Sequence, residues 1–140
     1  MVCLAGADTR RVAASGSARC YRQILHEKDD YPDIALLTFN GRDRSTLSTL
    51  AHIGHHALRG FMGDYDEHGA PRYRDGEITM ETVYRFKGQS APCVILTGVD
   101  FEQFDDTVFR RLFVGATRAT MKLIVVMSDR AAAQLIERMP

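Results

Sequence analysis

TMETVYRFKGQSAPCVILTGVDFEQFDDTVFRRLFVGATRAT, residues 79–120, passes through three kinds of pattern in one stretch. With Ile78 in front, Met80, Thr82 and Tyr84 alternate with polar Thr79 and Glu81, which is the period of a half-buried strand. Lys87 and Gly88 then break the pattern, and Gly88 suits a loop whose backbone comes close to something else. After Pro92 the run Cys93-Val94-Ile95-Leu96-Thr97 is apolar throughout, as in a parallel strand covered on both faces. Asp105 or Thr107 caps a helix expected over 108–119. Strand, loop, buried strand and amphipathic helix in succession predict an α/β fold with a mainly parallel sheet.

The flanks extend this alternation. Leu123-Ile124-Val125-Val126-Met127 is a third buried run. Ser128 or Asp129 caps a final helix whose Leu135, Ile136 and Met139 are expected to face inward. Upstream, Ile34-Ala35-Leu36-Leu37-Thr38-Phe39 has strand length and stops at Asn40-Gly41. Before it, Ser15 or Ser17 caps a helix to about Lys28, with Ala18, Tyr21, Ile24 and Leu25 as its apolar face. Asp29-Asp30-Tyr31-Pro32 ends that helix. Over 45–61 the period reads as helical: Leu47, Leu50, Ile53, Gly54, Ala57, Leu58 and Phe61 form one stripe, opposite His52, His55 and His56. Residues 60–76 read as a long surface loop or a loose hairpin, and loops of that length are often functional. The run Asp8 to Ser17 is short, polar and Arg-containing and reads as an entry strand or loose chain, and residues 1–14 are expected to be loosely ordered.

Composition narrows the class. A chain of 140 residues fits one domain over 1–140, and 45% hydrophobic with 26% charged residues is ordinary for a globular protein. A net charge of zero gives no bulk argument for nucleic-acid binding. Only Lys28, Lys87 and Lys122 are lysines, so the basic residues are mostly arginine, whose planar fork suits phosphate. Cys3, Cys20 and Cys93 have no C-x-x-C spacing, which argues against a disulfide framework or a zinc site. The three clustered histidines lack a supporting carboxylate or cysteine and read as a solvated face. Asp64, Asp66, Glu67 and Gly69 lack the spacing of a calcium loop. No metal site is predicted. No lysine has an acid two residues before it, so a common nuclease core is missing, and no G-x-S-x-G elbow is present. No apolar run approaches a membrane span and no convincing signal peptide opens the chain, so a cytoplasmic protein is expected.

The quoted stretch also resembles a known family. Thr82-Val83-Tyr84-Arg85-Phe86-Lys87-Gly88-Gln89, followed by Val94-Ile95-Leu96, resembles motif V of UvrD/Rep-type superfamily I DNA helicases, roughly T-x-H-x-x-K-G-x-E and an apolar strand. Leu112-Phe113-Val114-Gly115-Ala116-Thr117-Arg118-Ala119 resembles motif VI, with its V-A-x-T-R-A core. The strand from Ile34 stands where motif IV would be. The resemblance covers roughly residues 30–128 and is to the C-terminal, second RecA-like motor domain.

That resemblance implies a three-layer, RecA-like α/β fold and a set of roles. Arg118 would be the arginine finger, reaching a γ-phosphate held by another domain. Lys87, Gly88, Ser90 and Thr117 would line the ATP cleft. Thr82, Tyr84 and Lys87 would contact single-stranded DNA. The bland alternatives are an Arg118 paired with a carboxylate such as Asp100, a solvated Lys87 and a packed Tyr84. Two positions depart from the pattern: Ser90 replaces a ribose-contacting Glu, and Phe39 replaces an Arg for which Arg42 or Arg44 could substitute. No G-x-x-x-x-G-K-[ST] and no D-E-x-Q strand is present, so ATP and Mg²⁺ would be held mainly by an N-terminal RecA-like domain of the same parent chain. The expected partners are that domain and single-stranded DNA, with no membrane, and the chain alone is expected to be inactive as an ATPase. A non-enzymatic RecA-like module binding nucleic acid or protein is the alternative.

Overall fold

A computed structural model describes residues 2–7, 24–41 and 50–138. Its strands are β1 (Val2–Ala7), β2 (Ile34–Thr38), β3 (His52–Ile53), β4 (His56–Tyr65), β5 (Pro71–Tyr73), β6 (Ile78–Thr82), β7 (Ala91–Val99) and β8 (Ala119–Ser128). Two full helices follow the later strands, α1 (Asp106–Ala116) and α2 (Asp129–Arg138). Residues 24–27 add a helical turn.

One mostly parallel sheet runs in the order β1-β8-β7-β2-β6-β4-β3, with β5 beside β4. The three apolar runs singled out in the sequence lie side by side. Leu36 stands opposite Ile95, and Ile95 opposite Ile124. The pairs β1–β8, β2–β6 and β4–β6 are also parallel, while β3–β4 and β4–β5 are antiparallel.

Alternation along the strands sorts the core into two faces. Ile34, Leu36, Ile78, Met80, Cys93, Ile95, Ile124 and Val126 cluster with Ile24 from the helical turn. Ala35, Leu37, Val94, Leu96, Val125 and Met127 point the other way, against Val108 and Leu112 of α1 and Ala131 and Leu135 of α2. Burying one such aliphatic side chain stabilises the fold by about 1.5–3 kcal/mol, which is why continuous apolar runs fix the central strands.

Capping follows the sequence signals. Asp105 caps α1, its carboxylate accepting from the Val108 N–H at 2.8 Å. Ser128 Oγ accepts from the Ala131 N–H at 3.2 Å and so caps α2. Gly115 lets α1 approach the sheet, since a Cβ there would lie 3.2 Å from Leu96 and 3.3 Å from Val83.

Several expectations change. The helix expected over 45–61 is absent from its described part, which forms β3 and β4 instead. Ile53 pairs with His56, so Gly54 and His55 make a tight two-residue turn, in which Gly54 takes φ 60°. Local period loses here to parallel pairing of Leu58, Arg59 and Gly60 with β6. The histidines therefore do not share a helix face: His56 Nδ1 meets Glu77 Oε1 at 2.7 Å, while His52 and His55 are exposed.

Residues 60–76 are the hairpin of the two readings, β4–β5, closed by Asp66, whose Oδ1 accepts from the His68 and Ala70 N–H groups. Asp64 pairs with Arg72 at 2.9 Å across it. Residues 2–7, expected to be loose chain, form β1 by pairing with β8. Strand β6 stops at Thr82, leaving Tyr84 in a turn, and α1 stops at Ala116 rather than 119. Leu25 and Ile136, expected inward, are exposed. Ser15, Ser17, Ala18, Cys20, Tyr21, Arg42, Arg44, Leu47 and Met139 lie outside the described residues.

Candidate functional site

The segment 83–90 carries the chain from the end of β6 to the start of β7. Thr82 and Thr97 both stand level with Thr38, while Ala91 stands opposite Ala119. A parallel crossover must therefore run back along the sheet, and this one does so in eight residues. Val83 and Phe86 anchor it to the same core face as α1. One helical turn opens it, with the Phe86 N–H donating to the Thr82 carbonyl at 3.1 Å. Gly88 at φ 84° makes the bend that a side chain would strain.

At the far end of this crossover the Arg118 side chain is held by neutral acceptors alone. Its Nε donates to the Val114 carbonyl at 3.1 Å, one terminal nitrogen to the Gln89 carbonyl at 3.4 Å, and the other to Thr117 Oγ1 at 3.2 Å. Thr117 Oγ1 itself donates back to the Phe113 carbonyl at 2.8 Å, locking the corner where α1 ends. The Arg118 carbonyl also accepts from the Ala91 N–H at 3.0 Å, stitching the crossover to the start of β8.

Among the described residues no carboxylate lies within ion-pair distance of Arg118. The alternative partner, Asp100, is taken. Its Oδ1 accepts from Arg130 Nε at 2.7 Å and Ser128 Oγ at 2.6 Å, and its Oδ2 from the Arg130 fork at 2.8 Å. Arg118 is thus a half-buried, oriented and unneutralised cation.

The Arg130 contact, with help from Ser128, holds the Asp100 carboxyl below the usual carboxylate range. Its stabilisation is therefore present above the unfolded value of about 3.9 and is lost as pH falls through the lower folded value. Asp100→Asn is expected to flatten the loss of stability below about pH 4, read from urea midpoints between pH 2 and 6. Parallel wild-type and variant curves would remove this pair from the acid response.

The other end of the crossover is aromatic. Tyr84 is 55% exposed. The Arg111 guanidinium of α1 sits 5.4 Å from its ring centroid and 5.0 Å from that of buried Phe39. Phe39 therefore makes a cation–π seat and not a phosphate ligand. Thr82 spends its hydroxyl on the Arg85 N–H at 3.3 Å, and Lys87, Gly88 and Ser90 are exposed. Lys87 has no carboxylate within ion-pair distance among the described residues.

The structure thus gathers Thr117, Arg118 and the chain around Ser90 at one end, and Thr82 and Tyr84 at the other, with Lys87 and Gly88 between. Two contributors escape a reading of the sequence. Arg111 matters because it lies one turn before Gly115 on the packed side of α1, and Gln89 matters through its carbonyl. The first could have been found from helical spacing, but the second leaves no trace in residue type.

Residues 77–126 match the family model of the UvrD-like helicase C-terminal domain. That span holds β6, the crossover, β7, α1, Arg118 and most of β8. The fold is similar to the crystal structure of the C-terminal domain of a possible DNA helicase from Lactobacillus plantarum WCFS1. The TM-score is 0.65 at 15% identity, over 94% of this chain and 77% of that one. No curated protein sequence matches this chain.

Proposed function

We propose that this chain is the C-terminal, RecA-like motor domain of an ATP-dependent superfamily I DNA helicase or translocase. The observation that carries the proposal is the Arg118 guanidinium, held by three neutral acceptors and with no carboxylate in ion-pair distance among the described residues. A cation held in this way needs no rearrangement to meet an anion, and phosphoryl transfer spreads negative charge over oxygens that such a group stabilises. The family match over 77–126 and the fold likeness support the same reading.

In this reading ATP and Mg²⁺ sit mainly on an N-terminal RecA-like domain of the parent chain. Arg118 closes onto the γ-phosphate from the opposite wall. Thr117 positions Arg118, and Lys87, Gly88 and Ser90 line the cleft beside it. Ser90 is too short to reach a ribose as the family's Glu does, so that contact is weaker here. Thr82, Tyr84 and Lys87 face single-stranded DNA, with the Tyr84 ring offered to a base. The crossover joins both ends, so closure of the cleft moves the strand-binding end with it. Such closure between two lobes is a standard route from nucleotide state to movement.

Tyr84→Ala is expected to weaken binding of a fluorescent oligo(dT) by about 1–3 kcal/mol, measured by anisotropy at fixed salt. Unchanged affinity would assign the ring to the Arg111 stack alone. A second reading, a non-enzymatic RecA-like binding module, draws on Phe39 and Ser90, where two nucleotide-contacting residues have changed. A Walker A loop encoded upstream in the same reading frame would decide for the motor.

A further inference from the structure

On the face that carries α1 and α2, α1 packs mainly on β7 and β8 and α2 on β1 and β8, and Val83 and Phe86 of the crossover join the same core. Thr79 and Glu81 point to this face, since Ile78 and Met80 between them belong to the opposite core. The result is a cavity of about 250 Å³ lined by Arg59, Tyr73, Thr79, Glu81, Phe86 and Gln89.

Its chemistry is mixed in a specific way. Glu81 is only 8% exposed, and its Oε1 accepts from the Thr82 N–H at 3.1 Å. Burial, together with the nearby Glu81 charge, pushes the Tyr73 phenol up from its ordinary value. A carboxylate has about four acceptor sites, so sites beyond the one given to the Thr82 N–H remain for a ligand. Beside this acceptor stand Thr79, Gln89 and Arg59, whose guanidinium lies 5.6 Å from the Tyr73 ring centroid. Tyr73 and Phe86 are the aromatic lining, and Tyr73 is held from outside the cavity by Phe61 at 5.9 Å between centroids.

We propose that this cavity is a nucleobase pocket selective for guanine. Guanine's Watson–Crick edge presents two adjacent N–H donors, N1 and N2, beside the O6 acceptor. Glu81 takes the two donors, Arg59 takes O6 or N7, and the Tyr73 ring supplies a stacking face. Thymine and cytosine offer no such pair of donors, and adenine offers a single amino group. The pocket adjoins the Arg118 corner through Gln89, which lines the cavity and whose carbonyl accepts from the guanidinium. A guanine unstacked from a single strand and a free guanine nucleotide share this chemistry. The strand source rests on the DNA-tracking role proposed above.

The test separates the two sources. Guanosine and inosine 5′-monophosphates, which differ only in the N2 amine, are titrated against the 140-residue chain by calorimetry. Guanosine is expected to bind about 10-fold tighter, with Glu81→Gln erasing the difference. Tyr73→Leu, at a position 36% exposed, is expected to weaken both nucleotides and guards against misfolding of the Glu81 variant. Oligo(dT) carrying one central guanine or inosine is then compared by anisotropy. Equal binding of guanine and inosine in both formats overturns the pocket. Guanine preference in mononucleotides, with oligo(dT) bound but showing no guanine preference, supports a free-nucleotide pocket and leaves the strand-tracking reading standing. Guanine preference in mononucleotides without any oligonucleotide binding supports a free-nucleotide pocket and overturns the strand-tracking reading.

Discussion

Arg118→Ala is expected to lower DNA-stimulated ATP turnover of the full-length parent by about 10² or more, with ATP binding largely intact. The asymmetry follows from timing. Charge on the phosphoryl oxygens is greatest in transit, so a cation that meets them there changes the rate more than the affinity. Arg118→Lys is expected to recover little, because one ammonium cannot hold the Val114 and Gln89 carbonyls and still face outward as a fork. Steady-state turnover measured beside nucleotide binding separates these effects. Wild-type turnover in Arg118→Ala would strip the residue of its assigned role. Equal losses in turnover and binding would make it a ground-state ligand only.

Gly76→Ala is expected to be the most destabilising single-methyl change among the described glycines. A Cβ there would lie 2.4 Å from both the Arg59 nitrogen and the Leu58 carbonyl carbon, and 2.8 Å from the Ala57 oxygen. All three are backbone atoms of β4, so no side chain can swing aside. The chain must lift away from β4, and the Glu77 N–H bond to the Ala57 carbonyl at 3.0 Å goes with it. Overpacking costs about 1–3 kcal/mol, and a lost backbone hydrogen bond about 1 kcal/mol more. Gly41→Ala is the control, since its Cβ would meet nothing within 4 Å. Urea midpoints check the pair. A Gly76→Ala midpoint no lower than that of Gly41→Ala would show that the hairpin gives way freely.

Physics at short range made the centre of this fold legible. The runs at 34–39, 93–97 and 123–127 are apolar on both faces, and only central parallel strands use such runs. Asp105 and Ser128 announced their helices because a side-chain oxygen must satisfy the first free N–H groups. The misreading of 45–61 has an equally physical source. Leu50, Ile53, Ala57 and Leu58 fit a helical stripe by spacing, yet Gly54 and Gly60 each cost a helix about 1 kcal/mol. Those glycines were the overlooked warning. Gly54 makes a turn at φ 60°, and Gly60 leaves room for the Met80 side chain and the Arg74 guanidinium at 3.2 and 3.3 Å.

The candidate site was legible only in part. Residue type marked Arg118, Tyr84 and Lys87, because a cation, an exposed ring and a Lys-Gly break are visible in one dimension. The Gln89 carbonyl and the Glu81 cavity were not visible, because both depend on where the crossover lies against the sheet. β1 was missed although Val2–Ala7 is an apolar run of strand length: its Ala and Gly residues favour strand weakly, and its order comes from pairing with distant β8.

That pairing sets a schedule for biosynthesis. Val2–Ala7 leave the ribosome well before their hydrogen-bonding partners, Leu123–Ser128, about 120 residues further along the chain. At about 5–20 residues per second the wait is on the order of 10 s. Throughout it one edge of the nascent sheet stands open, so chaperone capture or mispairing between growing chains would concentrate at β1.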